Sequence, residues 1–187
     1  MGLSGGLSGG VTITDRIWLP SAAVVPQERG TDYFAPVDGA DWSDGFGWHR
    51  GFFSSFRLRA GKDAWFHFPL PTPTLRDGKP MALAELSLMW ETVDGARISW
   101  LVLQHGGMER LPLTERLQEP PSEPVPFDPP EQWRDYYPAS ARRLTTLPFD
   151  PVLPLRFGVQ LCVGVSAPER DGTIRFYGAG AGFAEVG

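Results

Sequence analysis

Hydrophobic residues recur at every second position between residues 155 and 165. They are Leu155, Phe157, Val159, Leu161, Val163 and Val165. Only a period of two places all of these side chains on one face, because a helix would scatter them around its circumference. A polar break at 168–172 follows, and the alternation resumes at 173–177. The pattern predicts an antiparallel hairpin with the Val159 face in the core, and it indicates an all-β protein.

A second hairpin is predicted around Asp94 and Gly95. The stretch 81–91 alternates, and 97–103 has the character of a partner strand. An Asp-Gly pair between two such runs favours a type I′ turn, in which both central residues need positive φ.

Four further strands are predicted from shorter alternating or β-branched runs. They are 11–19, 52–58, 65–68 and 142–147. Eight to ten short strands with long loops and no helix are typical of a two-sheet antiparallel β-sandwich. We expect a jelly-roll-like sandwich, with an Ig-like sandwich as the alternative. The glycine-rich stretch 178–182 is expected to follow the last strand, and since it opens no helix it is not a phosphate-binding loop.

Two segments fall outside this strand pattern. Residues 1–10 (MGLSGGLSGG) are expected to form a flexible arm, and 11–187 a single domain. That domain carries a proline-rich excursion at about 106–139, with seven prolines between Glu119 and Pro138. Such a segment is neither helix nor central strand. We expect it to be ordered, either covering a sheet edge or clasping a neighbouring protomer.

Composition excludes some partners and compartments. The net charge of −5 argues against a nucleic-acid partner, which would require a basic surface. No run approaches the length of a membrane span, and residues 1–10 lack the features of a secretory signal. The expected location is the cytoplasm, or outside the cell without a classical signal peptide. Cys162 is the one cysteine and is expected to be a packed thiol, because no activating base is near it in sequence.

Two segments carry a resemblance to a protein family. They are Trp65–Pro73 (WFHFPLPTP) and the tail 174–183 (IRFYGAGAGF). These resemble a family of bacterial β-sandwich proteins, a domain of unknown function, in which a WFH-[IL]P-[IL]-PTP segment precedes a long hairpin and the chain ends in GAGA-x-F. The resemblance spans about residues 50–183. It implies a shared β fold and supplies no activity and no functional residues.

Metal sites are weighed on two sets of residues. The histidines His49, His67 and His105 show none of the close pairings of zinc sites. Carboxylates recur every third residue on one loop, at Asp38, Asp41 and Asp44. Such a cluster is a candidate for Ca²⁺. Aspartates that bond their own backbone in turns explain the same pattern and are favoured, so no cofactor is expected.

The loop 42–53 carries five aromatic residues in twelve positions. Trp42, Trp48 and His49 form a candidate site for a sugar or small ligand, with Asp41 and Asp44 available to hold a cation. The same rings suit a subunit contact, since Trp is frequent at interface hot spots. A third interpretation, and the favoured one, is that they cap the open end of the sandwich core.

The favoured functional hypothesis is a non-enzymatic interaction module that self-associates into a homo-oligomer or larger assembly. It rests on the arm, on the aromatic loop and on the anchors of the excursion, Trp133, Tyr136 and Tyr137. The first alternative is a lectin-like module with a carbohydrate, or a protein, as partner. The second is a hydrolase that uses His67 or His105 with a carboxylate.

Overall fold

The chain folds into two packed antiparallel sheets. The computed structural model describes residues 12–37, 48–49, 53–117, 122–126, 128–134 and 141–186. The fourteen strands of these ranges are β1 Asp15–Pro20, β2 Val25–Pro26, β3 Phe34–Ala35, β4 Trp48–His49, β5 Ser54–Leu58, β6 Lys62–Leu70, β7 Leu75–Arg76, β8 Lys79–Val93, β9 Arg97–His105, β10 Glu109–Pro112, β11 Glu123–Pro124, β12 Arg143–Pro154, β13 Val159–Ala167 and β14 Gly172–Glu185. Short 3-10 turns cover Ser21–Ala23, Glu115–Leu117 and Glu131–Trp133.

The strand order is that of a jelly roll. One sheet has nine strands in the order β11-β12-β8-β14-β5-β3, with β1, β4 and β7 added beside this path. The other has five strands in the order β10-β9-β13-β6-β2. Successive long strands mostly alternate between the sheets, so each sheet combines strands that are distant in sequence, as the two Greek keys of a jelly roll require. The predicted two-sheet, jelly-roll-like sandwich is confirmed.

The turn predicted at Asp94 and Gly95 is correct, but the predicted pairing of the two strands that it joins is wrong. Asp94 has φ +58° and Gly95 φ +92°, as a type I′ turn requires. However, β8 pairs with β12 and β14, whereas β9 pairs with β10 and β13. The turn therefore carries the chain from one sheet to the other.

The terminal hairpin needs the same correction. β13 pairs with β6 and β9 in the five-stranded sheet, and β14 pairs with β1, β5 and β8 in the nine-stranded sheet. The strand begins at Val159, and Phe157 lies outside it with a side chain 59% exposed. The Val159 face is buried, as predicted. The stretch 178–182, expected to follow the last strand, is part of β14.

The glycines of β14 make room for Trp18 of β1. A Cβ at Gly178 would stand 2.6 Å from Trp18 Nε1, and a Cβ at Gly180 would stand 2.7 Å from Trp18 Cε3. The indole therefore lies flush on the backbone of β14, and any larger residue at either position would displace it.

The core lies between the sheets and is dominated by phenylalanine rings. Phe66 of β6 contacts Phe56 of β5 at 4.8 Å between ring centroids and Phe176 of β14 at 5.1 Å, and all three are fully buried. Burying large aromatic side chains from both sheets supplies much of the favourable free energy of folding.

Prolines and the proline-rich excursion lie where strands lack a partner on one side. The predicted strand 65–68 extends from Lys62 to Leu70, with Pro69 at a position where β6 has a partner on one side only. Within the excursion, β10 pairs with β9 at the edge of the five-stranded sheet, and β11 pairs with β12 at the edge of the nine-stranded sheet. No helix in the described ranges is long and apolar enough to span a membrane.

Candidate functional site

The outer face of the five-stranded sheet combines aromatic, amide, imidazole and thiol side chains. Since β6, β9 and β13 send alternate residues into the core, their other residues share this outer face. The pairing of these strands places Cys162 between His67 and Val102, and Gln160 between Pro69 and Gln104. The site is assembled from residues up to about a hundred positions apart in the chain.

Two tryptophans flank a glycine on this face. Gly164 of β13 pairs with Trp65 of β6 on one side and with Trp100 of β9 on the other. Two strand spacings separate the tryptophan backbones by about 10 Å. Trp100 is 58% exposed, whereas Trp65 is half-buried. The row therefore presents two indoles separated by a position without a side chain.

A bulge in β9 sets the orientation of Trp100. The pairing slips between Gly164 and Val165, so that Trp100 faces Gly164 and Ile98 faces Val165, with Ser99 as the additional residue. Ser99 Oγ donates a hydrogen bond to the carbonyl oxygen of Gly164 at 3.3 Å. Such bulges change where a side chain points, and here the bulge accompanies an outward Trp100 and an inward Ile98.

A groove of about 280 Å³ lies next to this row. Its lining residues are Gln27, Trp65, His67, Val102, Gln104, Arg110 and Cys162. A chain of hydrogen bonds crosses the groove. Gln160 Nε2 donates to Gln104 Oε1 at 3.2 Å and to His67 Nδ1 at 3.0 Å. His67 Nε2 lies 3.2 Å from Gln27 Oε1, and Gln27 Nε2 donates to Glu28 Oε1 at 3.2 Å.

The network holds the amide groups in place and leaves part of them available. Within the described part of the chain, no hydrogen bond uses Gln160 Oε1, an acceptor, or Gln104 Nε2, a donor. Each amide is held through one atom, and the other atom is complementary in type to the groups of a ligand hydroxyl. The groove thus offers an oriented donor and an oriented acceptor beside the tryptophan row.

His67 is neutral in this arrangement. Because Gln160 donates to Nδ1, the ring proton lies on Nε2 and is donated to Gln27 Oε1. Burial lowers the pKa of His67, and the carboxylate of Glu28 opposes this in part. The oxygens of Glu28 bond elsewhere: Oε1 accepts from Gln27 Nε2 at 3.2 Å, and Oε2 accepts from the backbone N–H of Trp65 at 2.7 Å.

Cys162 lies at the floor of the groove, with its Sγ 3.2 Å from His67 Nδ1. Burial raises the pKa of this thiol, and the hydrogen bond from Gln160 and the charge of Arg110 oppose this in part. The fold thus places the His67 imidazole beside Cys162, although no base is near Cys162 in the sequence. The two pKa shifts favour a neutral thiol beside a neutral imidazole, not the thiolate–imidazolium pair of nucleophilic cysteines.

The hydrolase hypothesis needs a histidine bonded to a carboxylate. Glu109 is the cross-strand partner of His105, but among the described residues no hydrogen bond or ion pair joins a histidine to a carboxylate. His67 hydrogen-bonds to amides and lies near a thiol, and no carboxylate bonds to it. His105 lies at the end of β9, beside a different part of the groove surface. The described ranges contain no group of three His, Cys, Asp or Glu side chains placed to hold a metal ion.

The site residues predicted from the sequence lie outside the described residues. These positions are Trp42, Tyr136 and Tyr137, the side chains of Trp48, His49 and Trp133, and the candidate calcium ligands Asp38, Asp41 and Asp44. The backbone at 48–49 forms β4, which pairs with β5. The arm 1–10 also lies outside these ranges, and the assembly hypothesis based on these segments stays a prediction.

Sequence reasoning missed the tryptophan row and its amides. The available signal was the outward phase of the alternating strands, where Trp65, Trp100, Gln104 and Gln160 fall. Two aromatic residues at outward-facing strand positions form an exposed apolar patch, and such a patch indicates a binding surface.

No protein-family model matches the chain, and no curated protein matches it by sequence. Among solved structures, TmCBM61 in complex with β-1,4-galactotriose shares 10% identity and a TM-score of 0.34, over 93% of this chain and 89% of that one. A family 29 carbohydrate-binding module complexed with mannohexaose shares 11% identity and a TM-score of 0.34, over 85% and 92%. At these values the matches do not assign the chain to a family, and its function has to be inferred from its own residues.

Proposed function

We propose that the outer face of the five-stranded sheet binds saccharides and that the chain acts as a carbohydrate-binding module. The single observation that carries this proposal is the row formed by Trp65, Gly164 and Trp100. This assigns the lectin-like role to the sheet face in place of the loop 42–53.

The tryptophan row supplies the apolar part of the interaction. A pyranose ring has flat faces of C–H groups, which lose contact with water when they stack on an aromatic ring. Trp100 is more than half exposed, and the near edge of its side chain lies over Gly164, so much of its indole is accessible to a ligand. A large exposed aromatic side chain on a rigid strand loses little conformational entropy on binding.

The amide network supplies the polar part. Sugar hydroxyls donate and accept at once, and Gln104 Nε2 and Gln160 Oε1 provide one group of each kind. Because Gln160 is already held by His67, and Gln104 by Gln160, binding requires little reordering of side chains. The groove thus combines apolar surface from Trp65 and Val102 with fixed polar groups that can orient a ligand.

The charge of the groove agrees with a largely uncharged ligand. His67 and Cys162 are both in their neutral forms at neutral pH, as the directions of their pKa shifts indicate. Among the described residues, Arg110 is the one cation that lines this groove, and it lies at its β10 side.

Calorimetry with a defined sugar panel tests this proposal. The panel contains β-1,4-linked gluco-, manno- and galacto-oligosaccharides with their monosaccharides, titrated into the parent and into Trp100→Ala. The account predicts that at least one series binds the parent and that Trp100→Ala weakens binding by about tenfold or more, since stacking on an indole is lost.

The matched control is Trp18→Ala. Trp18 is 45% exposed and packs on the nine-stranded sheet, so this variant loses an identical side chain from the opposite side of the molecule. Its affinity for sugar should equal that of the parent when both are folded by circular dichroism. Equal losses in the two variants, or no binding of any sugar by the parent, would overturn the proposal.

A further inference from the structure

A second concavity continues the groove along the strands. Gln104 lines both cavities, and Gln160, which lines the second, donates a hydrogen bond to it, so the two cavities adjoin on the sheet surface. The second has a volume of about 430 Å³, larger than the first. Its other lining residues include Pro69, Pro71, His105, Gly107 and Gly158.

The combined groove is much longer than one sugar ring. It begins at Trp65 and reaches Pro71, six residues further along, which at about 3.3 Å per residue corresponds to about 20 Å. Along β13 it runs from Cys162 to Gly158, the position just before that strand. Its long axis is therefore parallel to the strands.

The far end carries exposed apolar side chains of its own. Met108, in the turn between β9 and β10, is 93% exposed, and Phe157, just before β13, is 59% exposed. Their neighbours Gly107 and Gly158 line the second concavity. Both residues are exposed and adjoin residues that line the groove, so they are available to contact a ligand that extends past its end.

Building on the proposed function, we propose that the ligand is a linear glycan chain lying along β13, with successive sugar units at three subsites. The first is the tryptophan row, the second is the amide pair Gln104 and Gln160, and the third is the far end between His105 and Phe157. A monosaccharide or disaccharide fills only part of this surface. Longer chains gain contacts without a second loss of translational freedom, because the units are covalently linked.

The dependence of affinity on chain length tests this inference. Gluco-, manno- and galacto-oligosaccharides of one to six units are titrated into the parent by calorimetry. For a series that binds, affinity should rise by about tenfold or more between two and four units, as the far subsite becomes occupied, and then level off.

Variants at the far end provide the second readout. Phe157→Ala and His105→Ala should each weaken hexasaccharide binding by about threefold or more and leave disaccharide binding unchanged. Leu75→Ala is the control, since Leu75 is 65% exposed in the separate β7–β8 hairpin. Met108→Ala replaces either variant if it fails to fold.

The outcomes separate this inference from the proposed function. Disaccharide binding that Trp100→Ala weakens, with no gain for longer chains and no effect of Phe157→Ala, overturns the linear-chain inference and leaves the proposed function standing. An absence of binding by every sugar of every length overturns both.

Discussion

The indole of Trp100 lies against the backbone of Gly164. A Cβ at position 164 would stand 3.0 Å from Trp100 Cβ and 3.2 Å from Trp100 Cδ1, tighter than ordinary van der Waals contact. The most exposed tryptophan of the sheet face thus depends on the absence of a side chain at its cross-strand neighbour.

Gly164→Ala is expected to weaken sugar binding without unfolding the protein. The added methyl group crowds Trp100 Cδ1, which side-chain rotation can move, and Trp100 Cβ, which moves only with the strand backbone. We therefore expect a cost of about 1–3 kcal/mol in unfolding free energy. Calorimetry and urea unfolding measure the two effects. In a Trp100→Ala background the same substitution should have no further effect on binding, and a fully additive double mutant would contradict the proposed mechanism.

Acidification is expected to destabilise the fold through His67. Burial lowers the pKa of His67 in the folded protein, so the folded state binds this proton more weakly than the unfolded state. The contribution to stability is fully present above the unfolded pKa of about 6.5 and is lost as the pH falls through the lower folded pKa. The charged groups nearby are Glu28, which opposes the shift, and Arg110, which lines the same groove.

Urea unfolding between about pH 7.5 and pH 5 measures this effect. His67→Gln keeps a side chain that donates and accepts hydrogen bonds but removes the titration, so its midpoint should fall less over this range than that of the parent. If the urea midpoint changes equally with pH in the two proteins, His67 is not the source of the pH dependence.

Cys162 is expected to react slowly with thiol reagents in the folded protein. It is 3% exposed, and burial raises the pKa of its thiol, so little thiolate is present at about pH 8. A chromogenic disulfide reagent should modify it far more slowly in buffer than in urea. Since the folded state retains this proton more strongly, stability should fall as the pH rises above the usual thiol range. Rapid modification in buffer would show that His67 activates the thiol.

Phe66→Ala is expected to lower the unfolding free energy by about 3–5 kcal/mol, because it leaves a cavity between fully buried rings. Phe157→Ala is the matched control, since the same atoms are lost from a side chain that is 59% exposed. Its effect should stay within about 0.5 kcal/mol. Similar losses of unfolding free energy in both variants would contradict a core built around Phe66.

The sequence predicted the buried faces of strands and the positions of turns better than it predicted which strands pair. Alternation correctly assigned Val159 to the core, and Asp94-Gly95 correctly gave a turn with two positive φ angles. Neither pattern indicates whether the chain returns beside the same strand or crosses to the facing sheet. In a jelly roll the chain crosses to the facing sheet, because both sheets must bury their inner faces against each other.

The candidate site was beyond sequence reasoning for a related reason. Trp65, Trp100 and Gln160 come from three strands, and only the pairing of β13 with β6 and β9 brings them together. Alternation assigns each of them to an outer face, but it does not say which strands share that face. The order of the strands carries this information, and no local pattern encodes it.

Mapping the sugar contact by nuclear magnetic resonance tests the central claim most directly. The oligosaccharide that binds is titrated into the isotopically labelled protein, and the indole and side-chain amide signals are followed. The account predicts saturable shifts for Trp65, Trp100, Gln104 and Gln160, with Trp18 unaffected. Shifts confined to Trp42 and Trp48, or to the nine-stranded sheet, would contradict a binding site on the outer face of the five-stranded sheet.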